Sequence, residues 1–403
     1  MRRRHLLTAG SALLTSKLAT PFLSARAADT PGVTATEIKI GHTIPYSGPA
    51  SAYGVIGKAE TAFWNEFNAQ GGVAGRKINF ISLDDAYSPP KTVEQVRRLV
   101  EQDQVAFLFN TLGTPTNSAI QRYVNQKKVP HLFLATGADK WGDYQHFPWT
   151  IGYQPSYRTE AQIYTKYVLK EKPGSKIAIL YQNDDFGKDY PAGVKDVLGD
   201  KFDASTVVST YETTDTTLDS QITSLQASGA DVLLVAAIPK FAAQAIRKVH
   251  DLGWKPLFLM TNVSNSVGAV MTPAGLENSV GLITTIYMKD PTDHHWDDDA
   301  GMKEWRTFMD KNLQGADLTD LGYVSGYSAC KALVQVLKQC GDDFSRENVM
   351  KQATNLKDLE IPVLLPGIKV NTSPTNYHPI KAMQLVRFDG KTWVPFGDII
   401  QGV

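Results

Sequence analysis

Residues 105–141, VAFLFNTLGTPTNSAIQRYVNQKKVPHLFLATGADKW, constrain the fold of this chain more than any other stretch. Positions 105–109 are an unbroken apolar run, the pattern of a strand buried on both faces of a parallel sheet. Residues 110–116 break the run, and Pro115 is placed to open a helix. The pattern predicts that helix over 118–126, a second strand over 129–134, and a second turn of small residues at Ala135-Thr136-Gly137-Ala138. Two such units in succession set two turns side by side at the carboxyl edge of a parallel sheet, where open α/β sheets bind ligands. Small side chains there admit a ligand to the backbone, and free N–H groups at a helix start favour an anion. Thr111, Thr114, Thr116 and Thr136 add hydroxyls. Ordinary strand–helix connections use the same residues, so the turns point to a site only together with the rest of the chain.

That rest repeats the layout. An alternating strand ends at Ile44, followed by the loop Pro45-Tyr46-Ser47-Gly48-Pro49 and a helix over 57–68. A strand over 77–83, closed by Asp84-Asp85, and a helix over 90–102 complete a βαβαβαβ opening unit. A second series follows, with helices over 156–170, 219–227 and 241–252 and strands over 176–181, 205–211, 231–238 and 257–260. Residues 280–287 read as a strand carrying the chain back to the first unit, and helices follow over 301–311 and 319–339. Asp389-Gly390 between apolar runs is a hairpin signature.

At 403 residues the chain is long enough for two or three domains. Lys plus Arg and Asp plus Glu both total 41, so no basic excess points to nucleic acid or an anionic membrane. Residues 1–27 read as an export signal: Arg2-Arg3-Arg4, a weakly apolar stretch interrupted by Lys17, and a small-x-small cleavage pattern at Ala25-Arg26-Ala27. Arg3-Arg4-His5-Leu6-Leu7 gives it a twin-arginine character. Cys330 and Cys340 fall on one predicted helix, about 15 Å apart, too far for a disulfide. They are expected to be free, buried thiols.

No GxSxG elbow, HExxH helix or phosphate-loop motif occurs. Asp84-Asp85 and Asp184-Asp185 each stand between a strand and a helix, where capping and turn roles explain them. His294-His295 lie among four aspartates but lack metal-ligand spacing, so that segment reads as a solvated acidic loop. The sequence shows no nucleophile–base pair, and a binding protein, not an enzyme, is expected.

Several motifs in order carry a resemblance. Ser47-Gly48-Pro49 with Tyr53-Gly54, the run Asn68-Ala69-Gln70-Gly71-Gly72-Val73-Ala74-Gly75-Arg76, Asp84-Asp85 with a following proline, and Phe186-Gly187 match one family. The chain after its signal resembles the periplasmic solute-binding proteins of branched-chain-amino-acid-type ABC importers. The resemblance implies an α/β fold of two doubly wound lobes joined by crossover hinge segments, the type I periplasmic binding protein fold. Lobe 1 would take 34–153 and 283–368, and lobe 2 would take 154–282 and 369–403. Ligand would sit in the cleft, and hinge closure would bring both lobes onto it. On that pattern Thr114, Ala135, Thr136 and Gly137 hold a ligand carboxylate, while Tyr53 and Phe186 contact its body.

One departure bears on the ligand. Amino-acid binders of the family place an acid in the second lobe to pair the ligand ammonium; here the matching turn reads Met260-Thr261-Asn262-Val263. Ile238 stands where tyrosine is frequent in the family. A buried ammonium without a carboxylate partner costs heavily. The second wall, with Phe186, Ile238, Asn262, Trp141 and Tyr157, suits a carboxylic acid with an apolar or aromatic body. The alternatives are a branched-chain or other amino acid, its ammonium met by Asp184 or Asp185, and a receptor serving a signalling partner. The expected protein is a periplasmic monomer that takes a small carboxylate and docks on a membrane permease, with no cofactor, metal or nucleic acid.

Overall fold

The computed structural model describes residues 30–402; the expected export signal lies outside them. Strands β1 (Glu37–Ile44), β2 (Lys77–Asp84), β3 (Phe107–Phe109), β4 (His131–Leu134) and β5 (Thr150–Gly152) form a parallel sheet in the order β2-β1-β3-β4-β5. A second sheet contains β6 (Ile177–Gln182), β7 (Thr206–Tyr211), β8 (Val232–Ala236), β9 (Leu257–Met260), β10 (Ile283–Ile286), β11 (Ala382–Phe388), β12 (Trp393–Pro395) and β13 (Ile400–Gln401). Its order is β12-β11-β10-β9-β8-β6-β7, with β13 also on β11. From β6 to β10 it is parallel, and β11 turns antiparallel to β10 and β12.

Both sheets are covered on both faces, which is why central strands such as β8, VLLVA, are apolar without alternation. Helix Gly54–Ala69 packs against Leu321–Cys340 on one face of the first sheet. Pro89–Arg97 and Thr114–Gln126 cover the other face, where Val96 and Ile120 of the helices cluster with Val105 and Leu108. In the second lobe Tyr157–Glu171 lies against Asp185–Leu198. Arg346 ties the late helices back to the first lobe, donating through Nε and Nη2 to the carbonyls of Ala106 and Val105, both at 2.9 Å.

The α/β fold with two parallel-sheet lobes is the one expected, and one strand stands elsewhere than its sequence reading put it. Ile283–Ile286, expected to carry the chain back to the first unit, is hydrogen-bonded to β9 and β11 in the second sheet. These four residues are buried between two strands, so the lobe boundary expected at 283 falls too early. The return comes afterwards, where Leu365 N–H donates to Tyr287 O (3.0 Å) and Lys289 N–H to Val363 O (2.9 Å). The Asp389-Gly390 hairpin forms as read, joining β11 to β12 through a glycine at φ +103°. Cys330 and Cys340 are buried, free, and on one helix. His294 Nδ1 lies 2.9 Å from an Asp297 oxygen at an exposed site, and no metal-ligand cluster occurs among the described residues. Nor is any described helix long and apolar enough to cross a membrane.

Candidate functional site

The carboxyl edges of the two sheets face one another across a cavity of ≈ 870 Å³, its open mouth included. The first-lobe wall starts from the turn after β3. Gly113 adopts φ +98°, and a Cβ there would lie 2.5 Å from the Tyr87 ring, so only glycine fits. Asn117 locks the turn, its Nδ2 donating to the carbonyls of Thr111 (2.8 Å) and Gly113 (2.7 Å). The helix therefore starts at Thr114, four residues before the position read from sequence, and carries no side-chain cap. Its first turn keeps backbone donors for an anion.

Thr114 lines the cavity, with its hydroxyl 2.6 Å from the Thr136 hydroxyl. Thr136 sits behind it and takes a bond from Trp141 Nε1 at 3.3 Å. Gly137 is packed so closely that a Cβ would lie 2.3 Å from Pro155 O, and its carbonyl accepts from Tyr157 N–H at 2.8 Å. Thr136, Gly137 and Trp141, expected as contacts, are thus not in the cavity wall; they hold Thr114 and Tyr157 in it. Thr111 and Thr116 are likewise spent on internal bonds. The other expected residues, Tyr53, Ala135, Tyr157, Phe186, Ile238 and Asn262, do line the cavity.

The two aspartate pairs aim aromatics into the cleft. Asp84 Oδ1 accepts from Ser47 N–H (3.1 Å) and Ala86 N–H (3.0 Å), and Asp85 Oδ1 from Tyr87 N–H (2.9 Å). These bonds hold Ala86 and Tyr87 at φ +52° and +58°, a strained pair for non-glycine residues. Tyr87 thereby enters the cavity wall. In the second lobe Asp184 caps helix Asp185–Leu198, accepting from Phe186 N–H (3.0 Å) and Gly187 N–H (3.2 Å). Phe186 follows into the cavity, and Gly187 lets the backbone approach: a Cβ would sit 1.9 Å from Gln182 O. Burial pushes Asp85 and Asp184 each up to about 6.

The second-lobe wall is apolar outside and polar behind. Ile238 opens the uncapped helix Pro239–Asp251, and Asn262 follows β9. Behind Asn262 the buried Glu160 carboxyl gathers Asn262 N–H (2.9 Å), the Thr285 hydroxyl (2.6 Å), and the Tyr164 (2.6 Å) and Tyr190 hydroxyls. Burial raises its pKa. Glu160 does not line the cavity; it fixes the turn that does.

The lobes are closed on one another. The Tyr53 hydroxyl donates to Val263 O at 2.9 Å, Ser266 Oγ to Asp320 Oδ1 at 3.0 Å, and Gly268 N–H to Thr319 O at 3.1 Å. On the other side, Lys140 Nζ meets Asp185 at 3.0 Å, and Asp139 N–H donates to Asp189 Oδ2 at 2.8 Å. Burial pushes Asp189 up to about 7. Neither Asp184 nor Asp185 lines the cavity, which removes them as partners for a ligand ammonium.

Sequence reading missed Tyr87, Gln154, Asn265, Tyr287 and Asp320 in the wall. Tyr87 carried a local signal, two aspartates and a proline around Ala-Tyr. Asp320 carried only a cap signal, because helix Leu321–Cys340 reaches the cleft through packing on Gly54–Ala69. Among the described residues, Asp320 is the one Asp, Glu, Lys, Arg or His in the cavity lining.

Known proteins share this architecture. A Leu/Ile/Val-binding protein homolog of Brucella suis is 26% identical over 238 residues, 55% of this chain and 57% of that protein. The chain thus matches little more than half the length of that relative. A solved branched-chain amino acid ABC transporter protein from Thermus thermophilus with bound valine superposes with a TM-score of 0.81 at 14% identity, over 92% of this chain and 98% of that one. A solute-binding protein from R. palustris in complex with 4-hydroxybenzoate gives 0.74 at 17% identity, over 91% and 97%. At these identities the two structures show a common fold. The profile of the periplasmic binding proteins matches residues 37–392, and the chain belongs to that family.

Proposed function

We propose that this chain is the solute-binding component of an ABC importer and captures a small carboxylic acid with an apolar or aromatic body between its lobes. The observation that carries the reading is the pairing of walls. Thr114 offers a hydroxyl at an uncapped helix start, and across the cavity Phe186, Ile238 and Asn262 offer no charge. Neutral donors hold a carboxylate without a counter-charge. Apolar walls with few polar anchors suit a small organic body. The ligand is bound and released unchanged outside the cytoplasmic membrane, and a permease takes it from the closed form. Contacts from both lobes make the closed form the one that ligand favours.

A second reading, an α-amino acid, is favoured by Asp320, a carboxyl in the cavity wall that an ammonium would use. A melting screen of unfolded and refolded protein against aromatic acids, aliphatic acids and α-amino acids tests the choice, since a native-state ligand raises Tm. Stabilisation by aromatic or aliphatic acids, with none from leucine, isoleucine or valine, is expected. Stabilisation by α-amino acids alone would replace the first reading with the second.

A further inference from the structure

We propose that the ligand is an ω-cationic acid: its carboxylate lies at Thr114, and a positive charge at the far end of its apolar body is read by Asp320. The inference rests on the carboxylate reading above and adds the second pole.

Three observations lead to it. First, among the described residues Asp320 is the one Asp, Glu, Lys, Arg or His in the cavity lining. A plain monocarboxylate would share the cavity with a second carboxyl and no cation, a like-charge arrangement that weakens binding. A zwitterion balances it. Second, Asp320 has acceptor capacity to spare. Its Oδ1 takes both bonds, from Gly322 N–H (2.9 Å) and Ser266 Oγ (3.0 Å), while Oδ2 receives none among the described residues. The Tyr287 hydroxyl, also in the wall, is likewise without a hydrogen bond among the described residues.

Third, the two poles stand apart. Thr114 and Asp320 begin helices that cover opposite faces of the first sheet. Tyr53 and Tyr157 line the same cavity, and Tyr157 N–H donates to Gly137 O (2.8 Å) beside the turn that holds Thr136 against Thr114. An α-ammonium is one carbon from its carboxylate and cannot serve both poles. A cation on the far side of an apolar chain can, and Tyr53 and Tyr287 line the same cavity as the carboxyl.

Titration calorimetry tests this with matched isomers from four to eight carbons: the straight-chain acid, its ω-amino derivative and its α-amino derivative, each on the native chain and on Asp320→Asn. Asparagine keeps the helix cap and the Ser266 bond, so the variant's Tm should lie within about 3 °C of the native value. At the best length the ω-amino acid should bind about tenfold or more tighter than both isomers. In Asp320→Asn that advantage should fall to about threefold or less, while the plain acid binds no more weakly than before. Tightest binding by the plain acid or by the α-amino acid overturns the proposal, as does an ω-amino advantage that survives in Asp320→Asn. Tightest binding by the plain acid, or an ω-amino advantage that survives in Asp320→Asn, leaves the carboxylate reading standing; tightest binding by the α-amino acid favours the amino-acid reading instead. If no member of any series binds, the ω-cationic proposal falls, and the aromatic acids of the melting screen decide the carboxylate reading.

Discussion

Each lobe ends an early strand in two aspartates and uses them to bring an aromatic ring to the cleft, but the two pairs do this differently. After β2 both carboxyls hold their own turn: the Oδ1 atoms of Asp84 and Asp85 keep Ala86 and Tyr87 in left-handed conformations, while their Oδ2 atoms take Lys91 Nζ and the Thr92 hydroxyl of the following helix, each at 2.9 Å. After β6 the duties divide. Asp184 caps the following helix, while Asp185 reaches across the cleft to Lys140. The first pair stores strain to place Tyr87; the second places Phe186 on a relaxed helix start and spends its other carboxyl on closure. The same dipeptide therefore gives a fixed wall in one lobe and a fixed wall plus a latch in the other.

The comparison breaks first at Asp85. Asp85→Ala leaves Tyr87 N–H without its acceptor, at about 1–3 kcal/mol, while the Thr92 hydroxyl keeps the Ser88 carbonyl at 3.0 Å. Urea unfolding should show a loss of about 2 kcal/mol, and ligand affinity should fall with the displaced Tyr87. Asp184→Ala removes an ordinary N-cap and should cost about 1 kcal/mol by the same measurement. Asp185→Ala breaks a half-exposed ion pair, so stability should change by under about 0.5 kcal/mol. Its effect on affinity should stay under about threefold and vanish at 1 M salt.

The pH dependence sharpens the contrast. Burial raises Asp85 to about 6, so the folded chain binds its proton more tightly than the unfolded chain does. Its contribution is fully present below about pH 4 and is lost as pH rises through about 6. Asp85→Asn keeps an acceptor for Tyr87 N–H, presents an amide donor to the Thr92 oxygen and does not ionise, so its stability relative to the native chain should rise between pH 4 and 7. Asp185, held below the usual carboxylate range by Lys140 against the opposing effect of burial, should show no such rise when changed to Asn.

The fold was legible where a single segment decides it. The apolar runs of β3, β4 and β8 and the hairpin at Asp389-Gly390 announced themselves. Ile283–Ile286 did not, because four apolar and β-branched residues fit either sheet and the choice is made by neighbours distant in sequence. The site divides the same way. Thr114 and Phe186 follow their own strands and were readable, whereas Thr136 and Trp141 were displaced from the wall by their bonds to each other and to Thr114. Asp320 reaches the cavity only because two helices far apart in the chain pack together.

The central claim is that a ligand carboxylate is held by neutral donors at Thr114. Comparing the dissociation constant of the best-binding acid with that of its methyl ester tests this most directly. The ester keeps the body and loses the charge, so its affinity should be about a hundredfold weaker. Equal affinity for acid and ester would contradict the account and move recognition to the apolar wall alone.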